Sequence, residues 1–230
     1  MEKVLCFAHR GASGHQPENT LSSVRKAIDL GADWIEVDVH AVKGELIAIH
    51  DDRLERTTNG TGYVMEKTLA HLRSLDAGKG QQIPTLREIL DSVNGRAGIN
   101  VELKGPKTAV LTVSLIEEYV TKRHWNYGQF IVSSFDRRRL KSARKLNPYI
   151  KIGILVDRPR RHYALFARRY RAYSVHVHTS LANARSVKRI HERGLKVFVY
   201  TANRAQDIDR LESLGVDGIF TDFPELVIRK

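Results

Sequence analysis

The sequence predicts an α/β fold, a (β/α)8 barrel of the TIM type, from two observations. Short apolar, β-branched segments alternate with helical patterns along all 230 residues, as is typical of parallel strands joined by crossover helices. About eight such units are present, and roughly 250 residues is the usual length of such a barrel. An open doubly wound sheet is the alternative fold. However, the Gly-x-Gly-x-x-Gly motif that usually follows its first strand is absent.

The strands are predicted first from their apolar, β-branched composition. In chain order they are VLCFAH, DWIEVDVH, GELIAIH, GINVELK, QFIVSSF, IKIGILV, YSVHVH, KVFVYTA and DGIFTD. The first helix follows a cap at Asn19 or Thr20 and closes at Gly31, and another begins near Thr85, just after Pro84. The helices are predicted in NTLSSVRKAIDLGA, TLREILDSV, AVLTVSLIEEYVTKR, RRRLKSARKL, YALFARRYR, ARSVKRIHERG and AQDIDRLESLG.

The segment GELIAIH follows a tight Lys43-Gly44 turn and allows two interpretations. It is either a strand of the barrel or a hairpin return, in which case GIFTD supplies the eighth barrel strand. Residues 51–84 contain one weak helical pattern, EKTLAHLRSL. We therefore expect one domain over residues 1–230, with a small insertion at about 51–84.

Composition narrows the class of protein. No apolar run reaches the roughly 18 residues of a membrane span, and the run from Val4 to Ala8 is too short for a secretory signal. A cytoplasmic location is therefore expected. The single cysteine, Cys6, excludes an intrachain disulfide and falls in an apolar strand, so we interpret it as a core residue.

The formal net charge of +12 is concentrated in one stretch. Between Asp136 and Tyr173 there are thirteen Lys or Arg and two acids, Asp136 and Asp157. One interpretation is a solvated basic face on helices. The other is a surface that attracts polyanions or anionic headgroups.

Acidic residues lie on two predicted strands. Glu36 and Asp38 are two residues apart on one strand, and Glu102 and Lys104 repeat this spacing on another. Side chains at this spacing share a face, and the C-terminal strand ends of such barrels build the active site. Three converging carboxylates fit a hard divalent cation, Mg²⁺ or Ca²⁺. A network neutralised by Lys104 and Arg10 is the alternative.

Two histidines, His9 and His50, end predicted strands beside these groups. Imidazoles with ordinary pKa values near 6.5 can act as base and acid near neutral pH. Arg10 and Lys104 supply the positive charge that a phosphoryl group requires. Together these residues indicate metal-assisted cleavage of a phosphodiester.

Weaker candidates lie nearby. Glu18 either belongs to the cap of the first helix or contacts substrate, and His178 could line the pocket. Asn203 is expected to cap the helix that follows it.

Several separate motifs, in order, resemble the glycerophosphodiester phosphodiesterases. They are AHRGASGHQPENT, WIEVDVH, IAIHDDRLERTTNGTGYV, TLAHLRSLDAG, IPTLREIL, INVELK and VFVYTANRAQDIDRLESLGVDGIFTDFPE. The resemblance implies a (β/α)8 barrel that hydrolyses glycerophosphodiesters to glycerol 3-phosphate and an alcohol. It further implies that the substrate's own glycerol 2-hydroxyl attacks, through a cyclic phosphate.

Site roles also follow from the resemblance. Glu36, Asp38 and Glu102 would be the metal ligands, His9 and His50 the acid–base pair, and Arg10 and Lys104 the phosphate-binding residues. The sequence departs from many relatives at Tyr200, where they have tryptophan, and in the short KGQQ segment. Both departures bear on the headgroup side of the pocket.

Other functions remain as alternatives. A lysophospholipase D would use the same residues on lipid-like substrates, and the stretch from Arg158 to Arg171 is the one hint of a membrane contact. A glycosidase would use Glu36 and Glu102 as its carboxylate pair and needs neither Lys104 nor two histidines. A polyanion-binding module would bind nucleic acid with a steep salt dependence and hydrolyse nothing.

A small-molecule partner is expected, with no specific nucleic acid and at most weak contact with an anionic membrane. Oligomeric state is open.

Overall fold

The structure, a computed structural model, describes residues 3–158 and 163–228. Within these ranges, strands alternate with helices along the chain. The strands are β1 (Leu5–Ala8), β2 (Trp34–Val42), β3 (Glu45–Ala48), β4 (Gly98–Leu103), β5 (Phe130–Ser134), β6 (Lys151–Val156), β7 (Ser174–His178), β8 (Lys196–Tyr200) and β9 (Gly218–Thr221). The α-helices are α1 (Leu21–Asp29), α2 (Leu69–Ser74), α3 (Leu86–Val93), α4 (Thr108–Lys122), α5 (Arg137–Leu146), α6 (Tyr163–Arg169), α7 (Ala184–His191), α8 (Ala205–Ser213) and α9 (Glu225–Ile228).

Eight of the described strands close into a parallel barrel. Their order is β1-β2-β4-β5-β6-β7-β8-β9, and the ring closes because β9 pairs with β1. The predicted (β/α)8 barrel is confirmed. β3 lies outside the ring because it pairs antiparallel with β2. GELIAIH is therefore a hairpin return, and GIFTD supplies the eighth barrel strand.

Local signals in the sequence set the helix ends. At α1, Thr20 is the N-cap, and its side chain and that of Ser23 bond each other's backbone N–H groups. Just beyond the helix Gly31 adopts a φ of +86°, a conformation that glycine takes without a steric cost. Thr85 and Glu88 form the same reciprocal cap at α3. The predicted starts of both helices are confirmed.

The apolar residues form three groups. The largest packs the outer face of the barrel strands against the helices, as Val37 and Ile99 do. A second fills the lower barrel interior with Phe7, Trp34, Ile131, Phe198 and Phe220. A third, which includes Leu54 and Leu72, lies beneath the segment between β3 and α3. No helix in the described ranges is long and apolar enough to cross a bilayer.

Candidate active site

The predicted site residues meet at one end of the barrel. Glu36 and Asp38 lie on β2 and Glu102 on β4, where Asp38 and Glu102 are paired in register. The remaining residues follow strands directly: His9 and Arg10 after β1, His50 after β3 and Lys104 after β4. Parallel strands bring their C-terminal ends to one rim. His50 reaches the same rim differently, because β3 returns antiparallel along the end of β2 and places Ile49 beside Asp38.

The three carboxylates form a compact buried group. One oxygen from each of Glu36, Asp38 and Glu102 lies within 4.8 Å of the others, and the three side chains are buried. Burial, and then the charges of Asp38 and Glu102, raise the pKa of Glu36 well above its ordinary value. Burial and Asp38 raise the pKa of Glu102 to about 7. Burial and mutual repulsion therefore both oppose the ionised forms of Glu36 and Glu102.

Two cations lie in the group, and both contact Asp38. Lys104 Nζ is 2.6 Å from Glu102 Oε1 and 3.1 Å from Asp38 Oδ1, and Arg10 Nε is 3.3 Å from Asp38 Oδ2. Burial alone would raise the pKa of Asp38, but Lys104 and Arg10 hold it well below its usual range. Among the described residues, the Glu36 carboxylate accepts one hydrogen bond, from the backbone N–H of Arg10 at 2.9 Å, and no side-chain cation lies within ion-pair distance of it. The alternative of a network neutralised by Lys104 and Arg10 therefore describes Asp38 and Glu102 but not Glu36.

A divalent cation fits this donor set. Mg²⁺ and Ca²⁺ prefer carboxylate oxygens, and the group presents three of them with an incomplete charge balance. Asn19 adds a support that the sequence analysis missed. Its Nδ2 donates to Asp38 Oδ2 at 3.0 Å, and its Oδ1 accepts from the Asp38 backbone at 3.1 Å. This double contact fixes the Asp38 carboxylate.

Each histidine is held by a carboxylate at Nδ1. His9 Nδ1 lies 2.7 Å from Asp222 Oδ1, and His50 Nδ1 lies 2.5 Å from Asp51 Oδ1. An ionised carboxylate can only accept a hydrogen bond, so Nδ1 donates in both pairs. In the neutral form of each ring, Nε2 then carries the lone pair.

The two supporting carboxylates differ in their own partners. Asp222, just after β9, accepts from Ser13 Oγ at 2.8 Å and Asn203 Nδ2 at 2.5 Å. Although burial opposes it, the hydrogen bond from His9 lowers the pKa of Asp222 to about 2. Asp51 accepts instead from the Arg56 guanidinium, with Nε at 2.6 Å. The carboxylate beside His50 is thus partly neutralised, and the one beside His9 is not.

His50 also belongs electrostatically to the carboxylate group. Burial lowers its pKa, while the Asp38 charge raises it and Lys104 and Arg10 lower it further. These charges act on His50 only because the mouth is compact. His50 therefore lies at the same rim as the carboxylates. His9 reaches it through its neighbour Arg10, whose backbone N–H donates to Glu36.

Glu18 connects Arg10 to the segment between β3 and α3. Its carboxylate is 2.7 Å from Arg10 Nη1 and 2.7 Å from Arg56 Nη1. It takes no part in the cap of α1, so that interpretation of Glu18 is wrong. Arg56, which the sequence analysis missed, bonds both Glu18 and Asp51 and so ties this segment to the active-site mouth.

Tyr200 and His178 lie on another part of the rim, with ring centroids 5.7 Å apart. The Tyr200 ring also packs edge-to-face against exposed Phe135, at 6.2 Å. Within the described residues the buried Tyr200 hydroxyl has no hydrogen-bond partner. Burial raises its pKa, and the charges of Asp157 and Glu102 add to the effect. Tyr200 thus stands close to the carboxylate group.

Two further predictions have clear outcomes. The prediction that Asn203 caps α8 is wrong: its Oδ1 accepts from the Asp222 backbone and its Nδ2 donates to the Asp222 side chain. Cys6 is fully buried, and burial raises the pKa of its thiol to about 12. Its predicted place in the core is confirmed.

A parallel barrel with oxygen ligands, cations and two oriented imidazoles at its mouth defines a class, the barrel hydrolases. Comparison with known proteins narrows this class. The model of the glycerophosphoryl diester phosphodiesterase family matches residues 9–226. The chain belongs to this family, and its enzyme class is glycerophosphodiester phosphodiesterase.

Individual relatives cover nearly the whole chain. It is 37% identical to a glycerophosphodiester phosphodiesterase of Caldanaerobacter subterraneus subsp. tengcongensis, over 98% of this chain and 97% of that protein. It is 34% identical to one of Bacillus subtilis, over 98% and 85%. Among solved structures, it is similar to an Oleispira antarctica phosphodiesterase in complex with the product sn-glycerol 3-phosphate. The TM-score is 0.90, with 32% identity over 98% of this chain and 95% of that one.

Proposed function

We propose that the protein hydrolyses glycerophosphodiesters to sn-glycerol 3-phosphate and an alcohol, with a divalent cation at Glu36, Asp38 and Glu102 and with His9 and His50 as the acid–base pair. The observation that carries this proposal is the meeting of three buried carboxylates and two carboxylate-held imidazoles at one barrel mouth. The product bound to the Oleispira antarctica relative supports the choice of substrate.

The cation supplies Lewis-acid chemistry when bound, because it polarises a phosphoryl oxygen and offsets negative charge. Mg²⁺ and Ca²⁺ both suit the carboxylate oxygens. Arg10 and Lys104 hold the phosphodiester anion. Both cations already point into the carboxylate group, so their positions at the mouth are set before substrate arrives.

The two imidazoles move protons through Nε2. One accepts the proton of the attacking hydroxyl, and the other donates a proton to the leaving alcohol oxygen. Within the described part of the chain, neither His9 nor His50 is hydrogen-bonded through its ring to a Ser or Cys side chain. We propose the substrate's glycerol 2-hydroxyl as the attacking group, which displaces the alcohol and forms a cyclic phosphate. A water molecule then attacks the phosphorus and opens the ring, with the two imidazoles exchanging their acid and base roles, to give glycerol 3-phosphate.

A substrate panel tests the proposal. Glycerophosphocholine, glycerophosphoethanolamine, glycerophosphoglycerol and lysophosphatidylcholine micelles are each incubated with enzyme. Coupled assays measure released glycerol 3-phosphate for the three diesters and released choline for the micelles. We expect hydrolysis of the water-soluble diesters, its loss in EDTA, and its return with excess Mg²⁺ or Ca²⁺. Full activity after exhaustive chelation would contradict the metal. Turnover of the micelles alone, to lysophosphatidic acid, would favour the lysophospholipase D alternative.

A further inference from the structure

The charge of this protein is strongly uneven along the chain. Residues 137–193 contain 17 of the 38 Lys and Arg but only 2 of the 26 Asp and Glu. This stretch therefore carries a formal charge of +15, and the remainder of the chain carries −3. A solvated surface that served only solubility would not need one sign to be segregated in this way.

The fold places this charge on one side of the barrel. The stretch holds α5, α6 and α7, which follow the neighbouring strands β5, β6 and β7. Buried residues such as Leu140, Ala167 and Val187 turn inward, and exposed cations cover the outward surfaces. We define the basic flank as Lys141 and Lys145 on α5, Arg168 and Arg169 on α6, and Lys188 and Arg189 on α7, all of which are exposed.

The cations of the basic flank are not used for internal ion pairs. Among the described residues, none of the six lies within ion-pair distance of a carboxylate. The nearby acids Asp136 and Asp157 are already bonded to Arg138 and Arg158. Glu192, next to the end of α7, is the other acid of the stretch.

Other arginines of the same stretch make contacts within the protein. Arg144 donates to the backbone carbonyls of Tyr170 and Arg171, at 3.0 and 3.1 Å. The Arg137 guanidinium lies 5.2 Å from the centre of the Phe166 ring. These contacts join the α5 and α6 regions, so the fold accounts for these two arginines. In the basic flank, Arg169 contacts the ring of its neighbour Tyr170, at 5.8 Å, and joins no second element in doing so.

The shape of the flank indicates its partner. The three helices follow neighbouring barrel strands, and in the described part of this stretch no element projects from them that could enter a nucleic-acid groove. Single-stranded nucleic acid would require exposed rings for stacking. Near the flank cations, Phe166 and Tyr170 are only half-exposed and lie beneath Arg137 and Arg169. Among the described rings of the stretch, the exposed one is Tyr149, which follows α5 before β6 and is already stacked on Tyr127. A laterally mobile anionic lipid surface needs only exposed cations.

We propose that the basic flank docks the protein on the surface of anionic phospholipid bilayers. This inference goes beyond the hydrolysis proposed above, because the flank lies outside the barrel and contributes nothing to the acid–base residues. Docking would hold the enzyme where phospholipid breakdown releases its substrates.

Vesicle sedimentation tests the docking directly. Full-length protein is spun with vesicles of phosphatidylcholine alone, or with vesicles containing 30% phosphatidylglycerol (a chosen composition, about one anionic lipid in three), at low and high NaCl. We expect binding to the anionic vesicles at low salt, little binding to the neutral ones, and release at high salt because counterions screen the flank.

A matched pair of variants separates the flank from the overall charge. Lys141→Glu/Arg168→Glu/Lys188→Glu reverses one charge on each flank helix, and we expect binding to fall at least ~10-fold. Arg25→Glu/Lys26→Glu/Lys122→Glu makes the same charge change on α1 and α4, and we expect a much smaller loss. Circular dichroism and hydrolysis of a soluble diester should match wild type for both, so a failure of docking stays distinct from a failure of the enzyme.

Three results would overturn the proposal. The first is no binding of wild type to anionic vesicles at low salt. The second is an equal loss in both triple variants, which would show that only net charge matters. The third is tighter binding to a duplex DNA or RNA oligomer than to the vesicles at the same salt, which would assign the flank to nucleic acid instead.

Discussion

The same strands build the lower and upper halves of the barrel interior, but the lower half is lined by aromatic side chains and the upper half by charged ones. On β1 the inward side runs from Phe7 to His9, and on β2 it runs from Trp34 to Glu36 and Asp38. The lower half is a close-packed aromatic layer, with the Phe7 and Phe220 rings 4.5 Å apart. The upper half gathers carboxylates whose pKa values are displaced by burial and mutual repulsion.

This difference separates stability from function along each strand. Burial of aromatic rings is favourable, at roughly 1.5–3 kcal/mol for a large side chain. Buried carboxylates without full compensation oppose folding. The aromatic layer therefore stabilises a mouth that would be unfavourable by itself, and substitutions in the two layers should have opposite consequences.

The largest effect is expected in the upper layer. Glu36→Gln keeps the shape of the side chain but removes a metal ligand and its charge. We expect hydrolysis to fall by ~10³-fold or more, since a bound cation supplies several kcal/mol of transition-state stabilisation. In metal-free buffer the free energy of unfolding should stay equal or rise, because a repulsive buried charge is gone. Urea titration and initial rates measure both, and a variant of normal activity would refute the ligand assignment.

The complementary change is in the lower layer. Phe220→Ala should lower the free energy of unfolding by about 3–5 kcal/mol, the usual cost of emptying a packed aromatic site. The fraction that remains folded should still hydrolyse substrate. Tyr149→Ala is the control. Because the Tyr149 ring is 73% exposed, its removal should change the free energy of unfolding by only about 0.5 kcal/mol or less. Equal losses in the two variants would show that the aromatic layer is not the stabilising element.

A smaller effect is expected at the support of His9. Asp222→Asn keeps the size of the side chain but removes the charge that fixes the Nδ1–H tautomer, so kcat should fall about 10–100-fold with little change in KM. His9→Ala should lose more, about 10²–10⁴-fold. The control is Asp217→Asn. Asp217 also pairs with a histidine, His191, at 2.8 Å, but this pair does not belong to the active-site mouth. A kcat of Asp222→Asn equal to wild type would remove Asp222 from the positioning of His9.

The smallest effect concerns His176, at the boundary of the two layers. Complete burial lowers its pKa to about 3, whereas the unfolded chain binds this proton below about pH 6.5. The contribution of the neutral His176 side chain to the free energy of unfolding is therefore fully present above about pH 6.5. It is lost progressively as the pH falls from there towards 3. In His176→Gln the loss of unfolding free energy between pH 7 and pH 5 should be smaller by about 2 kcal/mol. His191→Gln is the exposed control, and an unchanged pH slope in His176→Gln would contradict a neutral buried imidazole.

The barrel could be predicted because its signals are local. The alternation of strands and helices, the Thr20 and Thr85 caps and the two-residue spacing of Glu36 and Asp38 all lie within short windows of sequence. The position of GELIAIH could not be decided, because a strand of this composition fits either pairing direction. Only its antiparallel register with β2 excludes it from the ring.

The supports of the site were missed because their partners are distant. Asp222 lies 213 residues from His9, and in sequence it is an ordinary acid after a short strand. Asn203 precedes a helix and resembles a cap. In the structure its amide is instead hydrogen-bonded to the backbone N–H and the carboxylate of Asp222. Arg56 likewise gains its role only when the segment after β3 folds back onto Glu18 and Asp51.

Direct metal titration of the chelator-stripped protein tests the central claim. Calorimetry with Mg²⁺ and Ca²⁺ should show a single site per chain in wild type, with hydrolysis returning along the same curve. Glu36→Gln and Glu102→Gln should lose the heat of binding, whereas the control Glu118→Gln, at a half-exposed carboxylate paired with Arg87 on α3, should keep it. Unchanged binding in both site variants, or full hydrolysis by the stripped protein, would contradict a metal centre at the three carboxylates.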